Sequence, residues 1–352
     1  MIPHYTKIHN NFTLEGNHYG SEELNEIAYS FIKEGLPYEK EIGLFLLDWL
    51  DDSDTIIVQT SGTTSEPKRI RIKKQAMVKS AIATGNFFNL QPGNSALHCL
   101  PANYIAGKMM LVRALVIGLV LEIVSPKGNP LAQKTKTYDF AAMVPMQVEK
   151  AMPQLHQIKT LIVGGAKLSN TIITQLKKQN ANVYETYGMT ETITHIAARP
   201  INEAYFKALP NVSFTLDDRE CLVIHAPKLI NETITTNDRV TLVNENTFEW
   251  LGRIDNVINS GGVKLFPERI EEKLQNKIST RFFIASEPNE VFGNQVVLVV
   301  ETTENKLDTS IFNELDSYEK PKKIYTIPKF IETATGKIQR NKTLEKLNIK
   351  SL

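Results

Sequence analysis

The residues from Thr60 to Lys68 read Thr-Ser-Gly-Thr-Thr-Ser-Glu-Pro-Lys, a run of hydroxyls around one glycine, closed by a lysine. A loop of this composition can aim backbone N–H groups, hydroxyls and one ammonium at a polyanion, and a triphosphate is the polyanion that needs such a set. No second glycine precedes Lys68 and no hydroxyl residue follows it, which separates the loop from the Walker pattern. A polar surface loop would have the same composition, so the reading rests on what else the chain carries. Thr55-Ile56-Ile57-Val58, just before it, is apolar and β-branched and is expected to form a buried strand.

Four further constellations follow in order. They are Tyr187-Gly188-Met189-Thr190-Glu191, Thr236-Asn237-Asp238, Gly252-Arg253-Ile254-Asp255-Asn256-Val257-Ile258 with Ser260-Gly261-Gly262, and Thr333-Ala334-Thr335-Gly336-Lys337-Ile338. With the loop, they resemble the motifs of the adenylate-forming acyl-CoA synthetases, the group that includes luciferases and peptide-synthetase adenylation domains. The resemblance implies activation of a carboxylic acid by ATP with Mg²⁺, followed by transfer to coenzyme A. It assigns Thr60, Ser61, Gly62, Thr63, Thr64 and Lys68 to the phosphates, Thr190 to the α-phosphate and Glu191 to the metal. Asp238 and Arg253 would hold the ribose, with Gly165, Tyr187 and Gly188 completing the nucleotide site. Lys337 would bridge the attacking carboxylate and the α-phosphate, Asp255 would be a hinge, and Ser260, Gly261 and Gly262 would line a coenzyme A channel.

The segments Leu100 to Gly107, Val144 to Gln147 and Leu161 to Ala166 look most like the o-succinylbenzoate–CoA ligases of menaquinone biosynthesis. That likeness implies an aromatic diacid whose second carboxylate needs a donor or cation. Tyr104, Lys108 and His195 are the expected acid-binding residues, and Arg113 is a further candidate. Lys108 and Arg113 lie on an apolar helix, where snorkelling to the surface is the competing reading. Glu191 and Asp238 have turn residues as their bland alternative, Arg253–Asp255 a surface ion pair, and Lys337 a solvated basic face. The chain departs from the usual pattern at Ser65, Arg69, Asn237 and Asn256, and fewer than sixty residues precede the loop. Part of the customary first subdomain is therefore expected to be reduced, which leaves homo-oligomerisation open as a cover. Two other function classes stay in view: an adenylating enzyme that loads a carrier protein, and a non-catalytic nucleotide sensor.

Composition sets limits. At 352 residues the chain is long enough for two domains. A net charge of +1 lacks the basic excess of a nucleic-acid binder. Two cysteines, Cys99 and Cys221, supply neither a disulfide framework nor a four-cysteine zinc site. The N-terminus lacks a signal-peptide core, and the longest apolar stretch, Leu115 to Val124, is too short to span a bilayer. A cytoplasmic setting, small-molecule partners and no stable membrane insertion are expected.

The elements that must position these residues alternate in type. Helices are expected over Lys74 to Phe88, Ile105 to Ile117, Ser169 to Lys178 and Pro267 to Asn276, with a basic turn and helix over Thr335 to Leu347. Strands are expected at Ala96 to Leu100, Leu119 to Val124, Phe140 to Val144, Lys159 to Val163 and Asn182 to Tyr187. Shorter β segments run from Ser213 to Leu251, and a strand from Gln295 to Glu301. The fold class is α/β: a large N-terminal domain of βαβ layers with a β-rich end, residues 1–253, and a small mobile α+β C-terminal domain, residues 254–352.

Overall fold

The computed structural model describes residues 2–59, 69–179, 181–230, 232–303, 307–332 and 338–349. Thr60, Ser61, Gly62, Thr63, Thr64, Lys68 and Lys337 therefore lie outside the described residues.

The N-terminal segment forms two short strands, β1 (Thr13–Leu14) and β2 (Asn17–His18), and two helices, α1 (Ser21–Glu34) and α2 (Pro37–Leu50). Both helix starts are closed by a carboxylate on an orphan N–H: Glu23 accepts from Gly20 at 2.5 Å and Glu39 from Leu36 at 2.6 Å. Next come β3 (Thr55–Gln59) and β4 (Arg69–Lys73), paired antiparallel in a ribbon apart from the larger sheets. The expectation of a buried strand at Thr55 to Val58 is corrected here. Ile56 and Val58 are buried but Ile57 is 55 % exposed, because one face of a two-stranded ribbon turns to solvent.

The helix α3 (Lys74–Phe88) leads to β5 (Ser95–His98), α4 (Ile105–Ile117) and β6 (Val120–Ile123). α3 and α4 have the expected bounds, and every residue of α4 from Gly107 to Ile117 is buried, which suits its all-round apolar sequence. There follow β7 (Tyr138–Met143), α5 (Pro145–Ala151), β8 (Ile158–Val163), α6 (Asn170–Leu176) and β9 (Asn182–Gly188). Ser169 caps α6 as expected, its hydroxyl accepting from Ile172 N at 3.2 Å.

The chain then turns back on itself through β10 (His195–Pro200), β11 (Phe206–Ala208), β12 (Ser213–Leu216), β13 (Cys221–His225), β14 (Ile234–Asn244) and β15 (Thr247–Arg253). One sheet of thirteen strands results, in the order β12-β13-β14-β15-β11-β10-β9-β8-β7-β5-β6-β1-β2. From β1 through β6, β5, β7 and β8 to β9 the pairs are parallel; from β9 through β10 onward they are antiparallel. A second sheet holds β16 (Ile258–Ser260), β17 (Val263–Leu265), β18 (Phe282–Asn289), β19 (Gly293–Glu301) and β20 (Lys323–Ile327), with α7 (Pro267–Leu274) and α8 (Arg340–Lys346) packed on it. No helix among the described residues is long and apolar enough to cross a membrane.

His98, at the end of β5, is buried with neither ring nitrogen hydrogen-bonded, and burial pushes its pKa down to about 4. The unfolded chain takes up a proton there near 6.5, which the folded chain refuses until about 4. Stability from this group is thus full above pH 6.5 and falls by about 3 kcal/mol as pH drops through that window. His98→Leu should flatten this acid limb and raise Tm, as measured by thermal denaturation between pH 7 and 4.

Candidate active site

The parallel and antiparallel halves of the large sheet meet at β9 and β10. The connection is short: a 3₁₀ turn, Thr190–Thr192, between Gly188 and His195. It is tied by Thr192, fully buried, whose hydroxyl accepts from Met189 N at 2.9 Å and lies within hydrogen-bond distance of both the Met189 and Thr194 carbonyl oxygens. Ile193, next along, has φ +70°, an unusual backbone for a β-branched residue and a local store of strain. Gly188 is required by a close approach, since a Cβ there would lie 2.4 Å from the Thr194 carbonyl oxygen. The result aims Thr190 and the exposed Glu191 outward from the C-terminal ends of the parallel strands, where open α/β sheets bind ligands.

Asp238 arrives on β14. It is 8 % exposed, accepts from Tyr187 Oη at 2.7 Å and from Trp250 Nε1 at 3.0 Å, and its own N–H donates to Thr236 Oγ1 at 3.0 Å. Burial, then the Asp238 charge, raises the Tyr187 pKa well above its ordinary value, so the phenol remains a donor. Asp238 lies opposite Arg253 in the β14–β15 register. Arg253 pairs with Asp255 at 2.5 Å, each side chain a little under half exposed, and Asn237 Nδ2 donates to Asp255 at 3.1 Å. Thus Tyr187, Gly188, Asp238, Arg253 and Asp255 come together around the β9, β14 and β15 ends, and Gly165 follows neighbouring β8.

Lys108 and Arg113 part company on α4. The Lys108 ammonium sits 4.9 Å over the Phe45 ring of α2, and burial lowers its pKa against the opposing pull of Asp48 and Glu41. Arg113 instead faces β10. It is 2 % exposed, donates to Thr194 Oγ1 at 3.2 Å, and its Nη2 lies 3.4 Å from His195 Nδ1. Its Nε has no partner, no carboxylate among the described residues pairs with it, and burial lowers its pKa to about 9. His195, also buried, is held well below its ordinary pKa by burial and then by Arg113, so it is neutral. Thr84 Oγ1 lies 3.4 Å from its other nitrogen. Tyr104 stands at the N-cap of α4.

A guanidinium held charged and dry, with no counter-ion among the described residues, carries a cost to the fold. Thr192, Thr194 and Trp250 were not singled out from sequence. Thr194 was nonetheless within reach of a spacing argument, lying three residues beyond Glu191 and beside His195. Among the described residues no group of three or more His, Cys, Asp or Glu side chains gathers to hold a metal. Glu191 alone fits an ion shared with a ligand's phosphate oxygens. A shallow cleft lined by Leu176, Asn182, Tyr184 and Pro200 lies at the opposite end of β9 from Gly188 and contains no motif residue.

The fold and the motifs define an AMP-binding enzyme, and a profile of that description matches residues 26–228. The chain belongs to the AMP-binding enzyme family, within the adenylate-forming superfamily that its motifs resemble. It is similar to the 2-succinylbenzoate–CoA ligase of Listeria monocytogenes, at 27% identity over 91% of this chain and 75% of that protein. The acyl-CoA synthetase (AMP-forming)/AMP-acid ligase II-like protein of Dyadobacter fermentans is 34% identical, with TM-score 0.62 over 92% of this chain and 98% of that one. The o-succinylbenzoate coenzyme A synthetase of Bacillus subtilis, in complex with ATP and a magnesium ion, is 16% identical. It shares the fold at TM-score 0.72 over 85% of this chain and 74% of that one.

Replacing Arg113 by methionine removes an uncompensated buried charge. Arg113→Met should therefore raise the stability of the unliganded protein by roughly 1–3 kcal/mol, read from urea unfolding. A loss of stability would mean that the guanidinium is satisfied in the free protein.

Proposed function

We propose that the protein is an ATP-dependent acid–CoA ligase that works through an acyl-adenylate, and that its acid is 2-succinylbenzoate, as in menaquinone biosynthesis. The observation that carries the substrate is Arg113: a buried guanidinium that no carboxylate among the described residues pairs with, beside Thr194 and neutral His195. An acid with one carboxylate to activate and a second to remain ionised would supply the missing anion, directly or through Thr194 and a water. The Listeria relative, named as a ligase of that acid, supports the same substrate. Lys108, turned toward α2, is the weaker candidate of the two.

In this reading the acid's carboxylate oxygen attacks the α-phosphorus of ATP and pyrophosphate leaves. The thiol of coenzyme A then attacks the acyl carbon, AMP leaves, and the thiol proton is released. Thr60, Ser61, Gly62, Thr63, Thr64 and Lys68 hold the β- and γ-phosphates, and Thr190 the α-phosphate. Asp238, already fixed by Tyr187 and Trp250, still has lone pairs for the ribose hydroxyls, with Arg253 beside it. Gly165, Tyr187 and Gly188 shape the nucleotide site, and Tyr104 and His195 the acid site. Glu191 would hold Mg²⁺, which when bound neutralises charge on the polyphosphate. Lys337 bridges the two reacting anions. Residues 1–253 form the adenylation domain and 254–352 the domain that carries Lys337, joined at Asp255, with Ser260, Gly261 and Gly262 along the coenzyme A path. The enzyme acts in the cytoplasm on small molecules.

Mass spectrometry of products from ATP, Mg²⁺, coenzyme A and 2-succinylbenzoate should find the acyl-CoA and AMP. Lys337→Ala should lose adenylation. Arg113→Met should lower kcat/KM for 2-succinylbenzoate roughly 10–100-fold, the scale of a lost charged hydrogen bond. The same variant should change the rate on the analogue lacking the ring carboxylate by less than about threefold. Preference of the wild type for that analogue, or for a monocarboxylic acid, would sink the substrate assignment and leave the ligase. Transfer to a carrier protein in place of coenzyme A would replace the second half-reaction.

A further inference from the structure

The helix α7 has two working faces. Ile270 and Leu274 are buried in the core of the small sheet, and Glu271 accepts from Arg340 at 2.8 Å on the same side. The other face meets β15 of the large sheet and the start of α6. Arg269 pairs with Glu249 of β15, Glu272 with Lys167 at 3.3 Å, and the Glu272 carbonyl accepts from Asn170 at 3.2 Å.

Glu268 lies between the faces and touches both sides. It is 7 % exposed; its Oε1 accepts from Asn256 Nδ2 at 2.6 Å and stands 3.8 Å from Arg340 Nη1. Its Oε2 is buried without a hydrogen bond and lies against Gly252. The backbone there, at φ +150°, favours glycine, and a Cβ at residue 252 would stand 2.5 Å from that oxygen and push the Glu268 carboxylate out of place. One carboxylate therefore joins both ends of the 252–256 linker to Arg340, which follows Lys337 by three residues. The contact also accounts for a departure in the sequence. Aspartate at position 256 would set two carboxylates at hydrogen-bond distance in a nearly dry site, where both cannot stay ionised. Asparagine donates instead.

We propose that Glu268 is a positioning residue that ties the linker, through Gly252 and Asn256, to the Arg340 end of the Lys337 segment, and that Asn256 and Glu268 form one functional pair. The proposal rests on the adenylating role given to Lys337 above. Breaking the tie should therefore slow the half-reaction that uses Lys337 and spare the other.

The test is a double-mutant cycle on the full chain: Asn256→Asp, Glu268→Gln and the two together, each followed by Tm and by both half-reactions. Asn256→Asp should lower Tm and slow acid-dependent ATP–pyrophosphate exchange about tenfold. Thioester formation from chemically prepared acyl-adenylate should stay within about twofold. In the double variant the amide introduced at position 268 donates to the carboxylate introduced at position 256, and Tm and exchange should recover to within about threefold of wild type. Equal losses in both half-reactions, or no recovery in the double variant, would overturn the proposal. A wild type that makes no adenylate would overturn the ligase reading instead; recovery of Tm in the double variant would then support the pair alone.

Discussion

The close approach of two backbones at Gly188 and Thr194 is the constraint on which the rest of the site depends. At that point the large sheet changes from parallel to antiparallel, and a side chain at 188 would collide with the next strand. The reversal is abrupt enough to need a buried threonine, Thr192, for its backbone groups and a strained isoleucine, Ile193, at its apex. Because β10 returns directly beside β9, His195 and Thr194 are delivered to Arg113 of α4. Because the antiparallel half then folds on from β10, Asp238 reaches Tyr187 and is bonded in turn by Trp250. The Asp238–Tyr187 group and the Arg113–His195 group thus hang from the two flanks of one turn.

The electrostatics of the two flanks are opposite in kind. On one, Asp238 has its burial offset by three hydrogen bonds around it and is ready-made for a polar ligand. On the other, Arg113 has a single hydroxyl contact and a neutral imidazole; burial is the first cause of both lowered pKa values, with the Arg113 charge adding to it at His195. Among the described residues no carboxylate meets the Arg113 charge, and under the proposed function the compensating interaction would come from the entering acid.

Sequence was most informative where chemistry fixes residue types locally. The Thr190-Glu191 turn, Asp238 on its strand and the glycine-bounded stretch from Gly252 could be read in order, and α3 and α4 had the expected ends because their apolar spacing and cap glycine or asparagine are local signals. Partners brought in by tertiary contact were not legible: Trp250 looks like an ordinary strand residue until β14 lies beside it, and Glu268 like an ordinary acidic first turn. The helices α1 and α2 went unread as elements, since their apolar faces acquire meaning only against each other. Ile57 misled because a β-branched triplet carries no mark of whether its strand ends in a sheet or a ribbon.

The short strand β1 has a consequence for solubility. The parallel half of the sheet would otherwise end at β6, an edge flanked by the buried residues Leu121 and Ile123. Thr13 and Leu14 occupy that edge, the Glu15 carboxylate takes up the Ile123 N–H at 2.5 Å, and β2 turns outward with both residues exposed. What is offered to another chain shrinks from an apolar parallel edge to Asn17 and His18. The N-terminal residues thereby serve as a stopper against strand-by-strand association, and any fusion or trimming at that end acts first on colloidal behaviour.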